Sequence, residues 1–498
     1  MEATVHLDTR QRIGPIDRRI FGGFIEHMGR AVYEGIYDPG SPFSDERGFR
    51  TDVMSAITAM NMPLMRYPGG NFVSGYDWRD GVGPRAQRPV RADSAWQSLE
   101  SNHFGTDEFV AWCRAVDTAP VLAVNLGTGS IESAAALVEY CNLPPGTYWT
   151  DRRASNASEE PYGVGTWCLG NEMDGPWQAG HVPARVYAEK ALAAGSLMKQ
   201  LDDSIELIVC GSSSRNMGTY MEWDRTVLEH CWDSVDYISA HRYTAAKPDT
   251  PSYLAEGVVI DQILADYRGL ISYVRALKAS SRSVQVSFDE WNVWRRNYDM
   301  KGGWSFAPHL LEEEYTFEDA LVIAQYLNSF IRNCDIVKIA CFAQVVNILG
   351  PIKTSREGVL REATYWPFVM LSGATSGESL RVALDCPELE TSGRGPVPVI
   401  DASASYDAEA DRVTLCLVHR SIGHEIAVDV QLGDLRTSGV EVEILHDRDL
   451  EARNTWQRPG RVTPVPGRAK LVSPSAIRVD LAPPSMTLLK LDVSSLDR

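Results

Sequence analysis

The sequence predicts an α/β chain in two parts: a (β/α)8 barrel over residues 15–371, and a β-sandwich over residues 372–498 that also pairs with a strand from residues 1–14. Three observations carry this expectation. Eight apolar runs of strand length alternate with helical patterns up to about residue 368. Beyond about residue 372 the pattern changes to short alternating runs separated by turns. A length of 498 residues accommodates one domain of about 250 or more residues and a second one beside it.

Taken in order, V-H-L-D and I-G-P-I-D-R-R-I alternate as strand material, and the first core strand is I-F-G-G-F, leading to Glu26. Seven further runs have the length of a buried strand: M-P-L-M-R (62–66), V-L-A-V-N (121–125), T-W-C-L-G-N-E (166–172), L-I-V-C-G (207–211), Y-I-S-A-H (237–241), V-Q-V-S-F-D-E (284–290) and I-A-C-F-A-Q (339–344). Between them, Thr106 is placed to cap a helix whose Phe109, Trp112, Cys113 and Val116 share a face. Pro183 is suited to open the next long helical pattern. Asp319 precedes a third, in which Ala320, Ile323, Ala324, Leu327 and Ile331 recur at helical spacing. Strand runs with helical connections fit a closed barrel, with an open doubly wound sheet as the alternative. No Gly-rich turn makes the dinucleotide fingerprint at a strand-to-helix junction. P-E-L-E-T-S-G-R-G-P-V-P (387–398) reads as a loop, and R-V-T-L-C-L-V, E-I-A-V-D-V-Q-L, G-V-E-V-E-I-L, S-A-I-R-V-D-L and M-T-L-L-K-L read as sandwich strands.

The net charge of -18 opposes nonspecific binding to nucleic acid or an anionic membrane, so neither is an expected partner. Nine cysteines, several inside apolar runs, read as small buried hydrophobes in a reducing compartment. The N-terminus has no basic segment followed by an apolar one, and no run reaches membrane-spanning length; the expected location is the cytoplasm.

In such a barrel, polar side chains at the C-terminal ends of the strands converge on one mouth. Read that way, the strand ends offer Glu26 and His27, Arg66, Asn125, Asn171 with Glu172, His241 with Tyr243, Glu290 with Trp291 and Asn292, and Gln344 with Asn347. That ring is of a size suited to a sugar. Most of the 66 acidic residues are surface charges, but Glu172 and Glu290 each follow a largely apolar strand and are thereby anchored on rigid scaffold. Two carboxylates facing one substrate suit glycosidic cleavage, in which one protonates the leaving oxygen while the other attacks the anomeric carbon or activates water. The residues alone leave the choice between retention and inversion open, as they do the assignment of the two roles. Asn171 shares the rim with Glu172 and is placed to orient a hydroxyl. Arg66, followed by Pro-Gly-Gly-Asn71, fits a rim residue that keeps a carboxylate charged. Trp96, Trp177, Trp291 and Trp294 fit walls for apolar sugar faces.

Other chemistries fit less well. The ten histidines and nine cysteines show no metal-ligand spacing. There is no G-x-S-x-G elbow and no Walker sequence.

I-F-G-G-F-I-E-H-M-G-R-A-V-Y-E-G-I-Y, M-R-Y-P-G-G-N-F, W-C-L-G-N-E-M-D-G-P-W-Q, F-D-E-W-N-V-W and V-K-I-A-C-F-A-Q-V-V-N together resemble glycoside hydrolase family 51, the α-L-arabinofuranosidases. The resemblance spans essentially the whole chain, with five motifs in family order. It implies a retaining enzyme with Glu172 as general acid/base and Glu290 as nucleophile. It matches Glu26, Asn71, Asn171, Tyr243 and Gln344 to positions that bind the furanose hydroxyls, and Arg66 to the arginine supporting the nucleophile. Trp96, Trp294 and His241 carry over as substrate-side residues from less firmly aligned segments. The implied mechanism is double displacement, which needs no cofactor and no metal, on an arabinofuranosyl oligosaccharide from arabinan or arabinoxylan. The resemblance also implies an intracellular homo-oligomer, with a hexamer favoured.

The loop after Asn125 and the segment H-R-Y-T-A-A-K-P after His241 depart from the family pattern, which bears on the leaving-group side. Two other functions set the limits of this reading. One is a family member acting on another glycoside, such as an endoglucanase, a β-xylosidase or a different furanosidase. The other is an inert carbohydrate-binding protein, which would have lost its paired glutamates.

Overall fold

A computed structural model describes residues 1–245, 249–295 and 300–495. Eight strands build the barrel: β1 (Gly22–Phe24), β2 (Leu64–Tyr67), β3 (Ala119–Val124), β4 (Thr166–Leu169), β5 (Glu206–Val209), β6 (Tyr237–Thr244), β7 (Gln285–Val293) and β8 (Val337–Ala343). All neighbouring pairs are parallel, and their order around the barrel is the chain order. Closure comes from β8 pairing with β1 through Cys341↔Gly22, Phe342↔Gly23 and Ala343↔Phe24, which rules out the open sheet.

The period of two along each strand separates two cores. Val121 and Ala123 of β3, and Ile339, Cys341 and Ala343 of β8, fill the barrel interior together with Phe24, Leu64, Cys168 and Ile208. Their alternates Leu122, Val124, Ala340 and Phe342 join the larger outer layer beneath the helices.

Each strand is followed by a helix: α1 (Thr51–Met60), α2 (Thr106–Ala115), α3 (Ile131–Asn142), α4 (Ala184–Leu201), α5 (Glu222–Cys231), α6 (Glu256–Leu277), α7 (Phe317–Arg332) and α8 (Tyr365–Ala374). Two helix starts differ from the sequence expectation. Thr106 is the first residue of α2 rather than its cap, and the carboxylate of Glu108 accepts the Gly105 N–H at 2.9 Å. Asp319 lies in the first turn of α7, where it accepts the Thr316 N–H at 2.8 Å, and Thr316 is the cap. Pro183 does sit immediately before α4.

The C-terminal strands form two antiparallel-rich sheets. The five-stranded sheet runs Ala383–Asp385, Glu2–His6, Ile426–Gln431, Ala476–Leu481, Lys470–Ser473. The seven-stranded sheet begins with Arg12–Pro15 and Glu378–Leu380 and contains Ile400–Asp407, Arg412–His419, Ser485–Ser495 and Leu435–Leu445. The N-terminal segment thus gives one strand to each sheet: Glu2–His6 pairs parallel to Ile426–Gln431, and Arg12–Pro15 pairs antiparallel to Glu378–Leu380. Helix α7 ties the barrel to the sandwich. Asn328 donates to Asp401 at 2.8 Å, and Arg332 and Arg420 reach the same carboxylate at 2.9 and 3.0 Å.

All nine cysteines are free, eight of them buried. Among the described residues, no helix is long and apolar enough to cross a membrane.

Candidate functional site

At the end of β4 the chain turns sharply. Gly170 has φ 90° and Glu172 φ 42°, a left-handed conformation that L-residues rarely adopt, and this turn brings Asn171 and Glu172 over the barrel mouth. From β7, Glu290 meets them. One oxygen each of Glu172 and Glu290 and a ring nitrogen of His241 lie within 4.8 Å of one another.

The two glutamates are held differently. Glu290 is buried: its Oε1 accepts Arg66 Nη1 at 2.8 Å and its Oε2 accepts the Tyr243 hydroxyl at 2.8 Å. Glu172 is more open. Its Oε1 is 2.9 Å from His241 Nδ1, and its Oε2 accepts Trp177 Nε1 at 2.9 Å. Arg66 also donates to Asn171 Oδ1 at 2.6 Å, so one guanidinium sets both Glu290 and the neighbour of Glu172. The Asn171 Nδ2 amide is buried with no protein acceptor, a donor available to a substrate oxygen.

Asp289 completes the centre. Its Oδ1 accepts Ser239 Oγ at 2.5 Å and lies 3.3 Å from His241 Nε2, while its Oδ2 is 3.5 Å from Arg66 Nε. Consecutive strand residues normally point to opposite faces, yet Asp289 and Glu290 both reach the interior. The cause is an extra residue in β7: Ser239 and His241 pair with Ser287 and Glu290, and Ala340 and Phe342 pair with Phe288 and Trp291.

Burial alone would lower the His241 imidazole, but Glu290, Asp289 and Glu172 outweigh it and raise it well above its ordinary value. Burial alone would raise Asp289, but Arg66 and His241 hold it below the usual carboxylate range. The Glu172, His241 and Glu290 atoms are close enough together to hold a metal ion. Within that group the His241 ring links Glu172, at 2.9 Å from Nδ1, to Asp289, at 3.3 Å from Nε2.

A second layer surrounds Glu26. Its Oε1 accepts the Phe72 N–H at 2.9 Å and Trp96 Nε1 at 3.0 Å. Gln344, directly after β8, donates to Oε2 at 3.3 Å and accepts the Glu26 N–H at 2.8 Å. Burial pushes Glu26 up to about 8, against these hydrogen bonds. The Pro-Gly-Gly of the β2 loop explains the close packing, because a Cβ at Gly70 would overlap the Glu26 carboxylate. Trp96, Tyr243 and Trp294 form one aromatic wall, with the last two rings edge to face at 5.2 Å. Asn71 begins the turn Asn71–Gly75 and, with Trp177, Asp77, Asp80, Arg91 and Asp93, lines a cavity of about 370 Å³.

Several strand-end residues serve the fold instead. Asn125 bonds Tyr76 O and its own loop, Asn292 bonds Ala343 O and Leu349 O, and Asn347 bonds Arg30 O. His27 faces Glu100 at 2.8 Å and Tyr67 at 2.6 Å, away from the carboxylate pair. Trp291 is no sugar wall: it is buried under α7, stacked on Tyr326 and Phe342. Ala246, Lys247 and Pro248 of the divergent segment after Tyr243 lie outside the described residues. Sequence reading missed the place of Asp289, although it stands beside Glu290 in the quoted motif.

The chain is similar to known proteins along most of its length. The α-L-arabinofuranosidase 1 domain family matches residues 56–254, and the α-L-arabinofuranosidase C-terminal domain family matches residues 289–485. An intracellular exo-α-(1→5)-L-arabinofuranosidase of Halalkalibacterium halodurans is 41% identical over 99% of both chains. An exo-α-(1→6)-L-arabinofuranosidase of Bifidobacterium longum is 40% identical over 98% of this chain and 96% of its own. Among solved structures, a family 51 α-L-arabinofuranosidase from Bifidobacterium longum superimposes with TM-score 0.94 at 34% identity, covering 98% of this chain and 99% of that one. The chain belongs to the α-L-arabinofuranosidases of glycoside hydrolase family 51.

Proposed function

We propose that this chain is a retaining, exo-acting α-L-arabinofuranosidase that releases terminal non-reducing α-L-arabinofuranosyl residues from arabino-oligosaccharides and from arabinan or arabinoxylan fragments. The single observation that carries the reading is the Glu172–Glu290 pair, with oxygens within 4.8 Å across one mouth. In the retaining mechanism the second carboxylate attacks the sugar, and water then releases it with the anomeric configuration kept.

In the first step Glu290 attacks the anomeric carbon. Arg66 and Tyr243 orient its two oxygens. Glu172 passes its proton to the departing glycosidic oxygen. In the second step Glu172 takes a proton from water, which displaces Glu290 from the sugar. His241, held from behind by Asp289, fixes the orientation of Glu172. Glu26, Gln344, Asn71 and Asn171 fit the furanose hydroxyls, and Trp96 and Trp294 its apolar edge. The cavity beyond Asn71 and Trp177 takes the leaving group, so linkage preference is decided there and by the divergent loops.

The names of the relatives support an intracellular location. The expected assembly is a homo-oligomer, a hexamer, which sedimentation of the purified protein would check.

The test is turnover of 4-nitrophenyl α-L-arabinofuranoside with proton NMR of the first-formed sugar. The α-anomer is expected first. Turnover only of a β-xyloside or β-glucan would move the protein to another glycoside, and binding without turnover would make it an inert sugar binder.

A further inference from the structure

The acid step requires one Glu172 oxygen to face the glycosidic oxygen, and both oxygens are engaged in this conformation. The Oε1 contact is part of the barrel: His241 is buried on β6 and backed by Asp289 on β7. The Oε2 contact is different. Its donor, Trp177 Nε1, belongs to a residue that is 51% exposed, on a segment between β4 and α4 with no regular structure. The indole lies directly on Gly175, where any Cβ would overlap its six-membered ring. Trp177 also lines the cavity next to Asn71. Among the described residues, Trp177 is thus the exposed donor on Glu172, and it sits on the oxygen that the buried His241 leaves open.

We propose that Trp177 is a displaceable positioning residue: its indole N–H occupies Glu172 Oε2 in this conformation, and a leaving-group sugar entering the cavity displaces it before the acid step. The inference rests on the arabinofuranosidase reading above. Once displaced, the ring keeps its flat face for the incoming sugar. Proton balance is untouched by Trp177, whose N–H only donates a hydrogen bond. The proton on Glu172 goes to the departing oxygen as the glycosidic bond breaks and the Glu290–carbon bond forms, and attacking water returns one. Gly175 is part of the same device, because only glycine lets the indole fold back to reach Oε2.

Steady-state kinetics on an arabinofuranosyl disaccharide test this. Trp177→Phe removes the N–H and keeps an aromatic face; Gly175→Ala pushes the indole off by a different route. Both are expected to lower KM for the disaccharide roughly two- to tenfold, the net worth of one hydrogen bond. A crystal structure of an inactive Glu290→Gln enzyme with the disaccharide is expected to show Nε1 and Oε2 beyond hydrogen-bond distance. An unchanged KM in both variants would reduce Trp177 to a wall. A fall in kcat at constant KM, or an N–H still on Oε2 in the complex, would overturn displacement. Absence of wild-type turnover on the aryl arabinofuranoside would instead overturn the functional reading, independently of Trp177.

Discussion

The barrel mouth and the barrel–sandwich junction both bury charge, and they do so in opposite ways. At the junction, Asp401 is met by Arg332 and Arg420, with Asn328 on its other oxygen. Nearby, Glu256 holds Arg242 on one oxygen and Arg394 on the other. At the mouth, Glu172, Asp289 and Glu290 meet Arg66 and His241, while Glu26 accepts from the neutral donors Phe72, Trp96 and Gln344. Two buried glutamates show the contrast. Burial would raise Glu256, but its two arginines outweigh that and hold it below the ordinary carboxylate range, whereas Glu26, with no cation paired to it among the described residues, is pushed up to about 8. A fully compensated cluster fastens two parts of a chain. A cluster whose carboxylates open onto a cavity is placed to meet a substrate, and the transition state of glycoside cleavage is oxocarbenium-like.

This contrast can be broken by substitution. Glu290→Ala should have the largest effect, lowering kcat by about 10⁴-fold or more, as removal of a covalent nucleophile does elsewhere. Glu172→Ala follows, with a loss on the order of 10²–10⁴ on a disaccharide. Its loss on an aryl substrate with a good leaving group should be smaller, and azide should restore that activity by replacing water. Normal turnover by either variant would remove the role assigned to it.

Asp401→Asn should reverse the pattern. It leaves the buried Arg420 without its carboxylate, while Arg332 keeps Asp261, and should lower stability by about 3 kcal/mol, read as a fall in melting temperature, with kcat retained. A loss of kcat at unchanged stability would mean that the two clusters are coupled.

The smallest effect concerns Glu26. Its folded carboxyl holds a proton that the unfolded chain releases, so between pH 4.5 and about 8 it lowers stability as pH rises. The slope from this one group is at most about 1.4 kcal/mol per pH unit. Glu26→Gln should flatten the pH dependence of the melting temperature in that window. Equal slopes would show that its hydrogen bonds from Phe72 and Trp96 keep Glu26 ionised.

Much of this was legible in the sequence because barrel strands are short and apolar and the polar residue that ends each one has few places to go. Glu172 and Glu290 stood out for that reason. The same logic misled at Asn125, Asn292 and Asn347, whose amides close loops instead of lining the site. At Trp291 the sequence cannot distinguish the inner face from the outer one, and packing under α7 decides. Asp289 was hidden by the extra residue in β7, which breaks the alternation on which strand reading depends. The part played by Trp177 depends on a loop path and a glycine contact that no local pattern encodes.

The central claim is that Glu290 becomes covalently bound to the sugar while Glu172 serves the oxygen and the water. It is tested most directly by reacting the Glu172→Ala enzyme with 2,4-dinitrophenyl α-L-arabinofuranoside and mapping the trapped adduct by peptide mass spectrometry. One arabinosyl group on the carboxylate of Glu290 is the expected result. An adduct on another residue, or release of inverted sugar with no adduct at all, would contradict it.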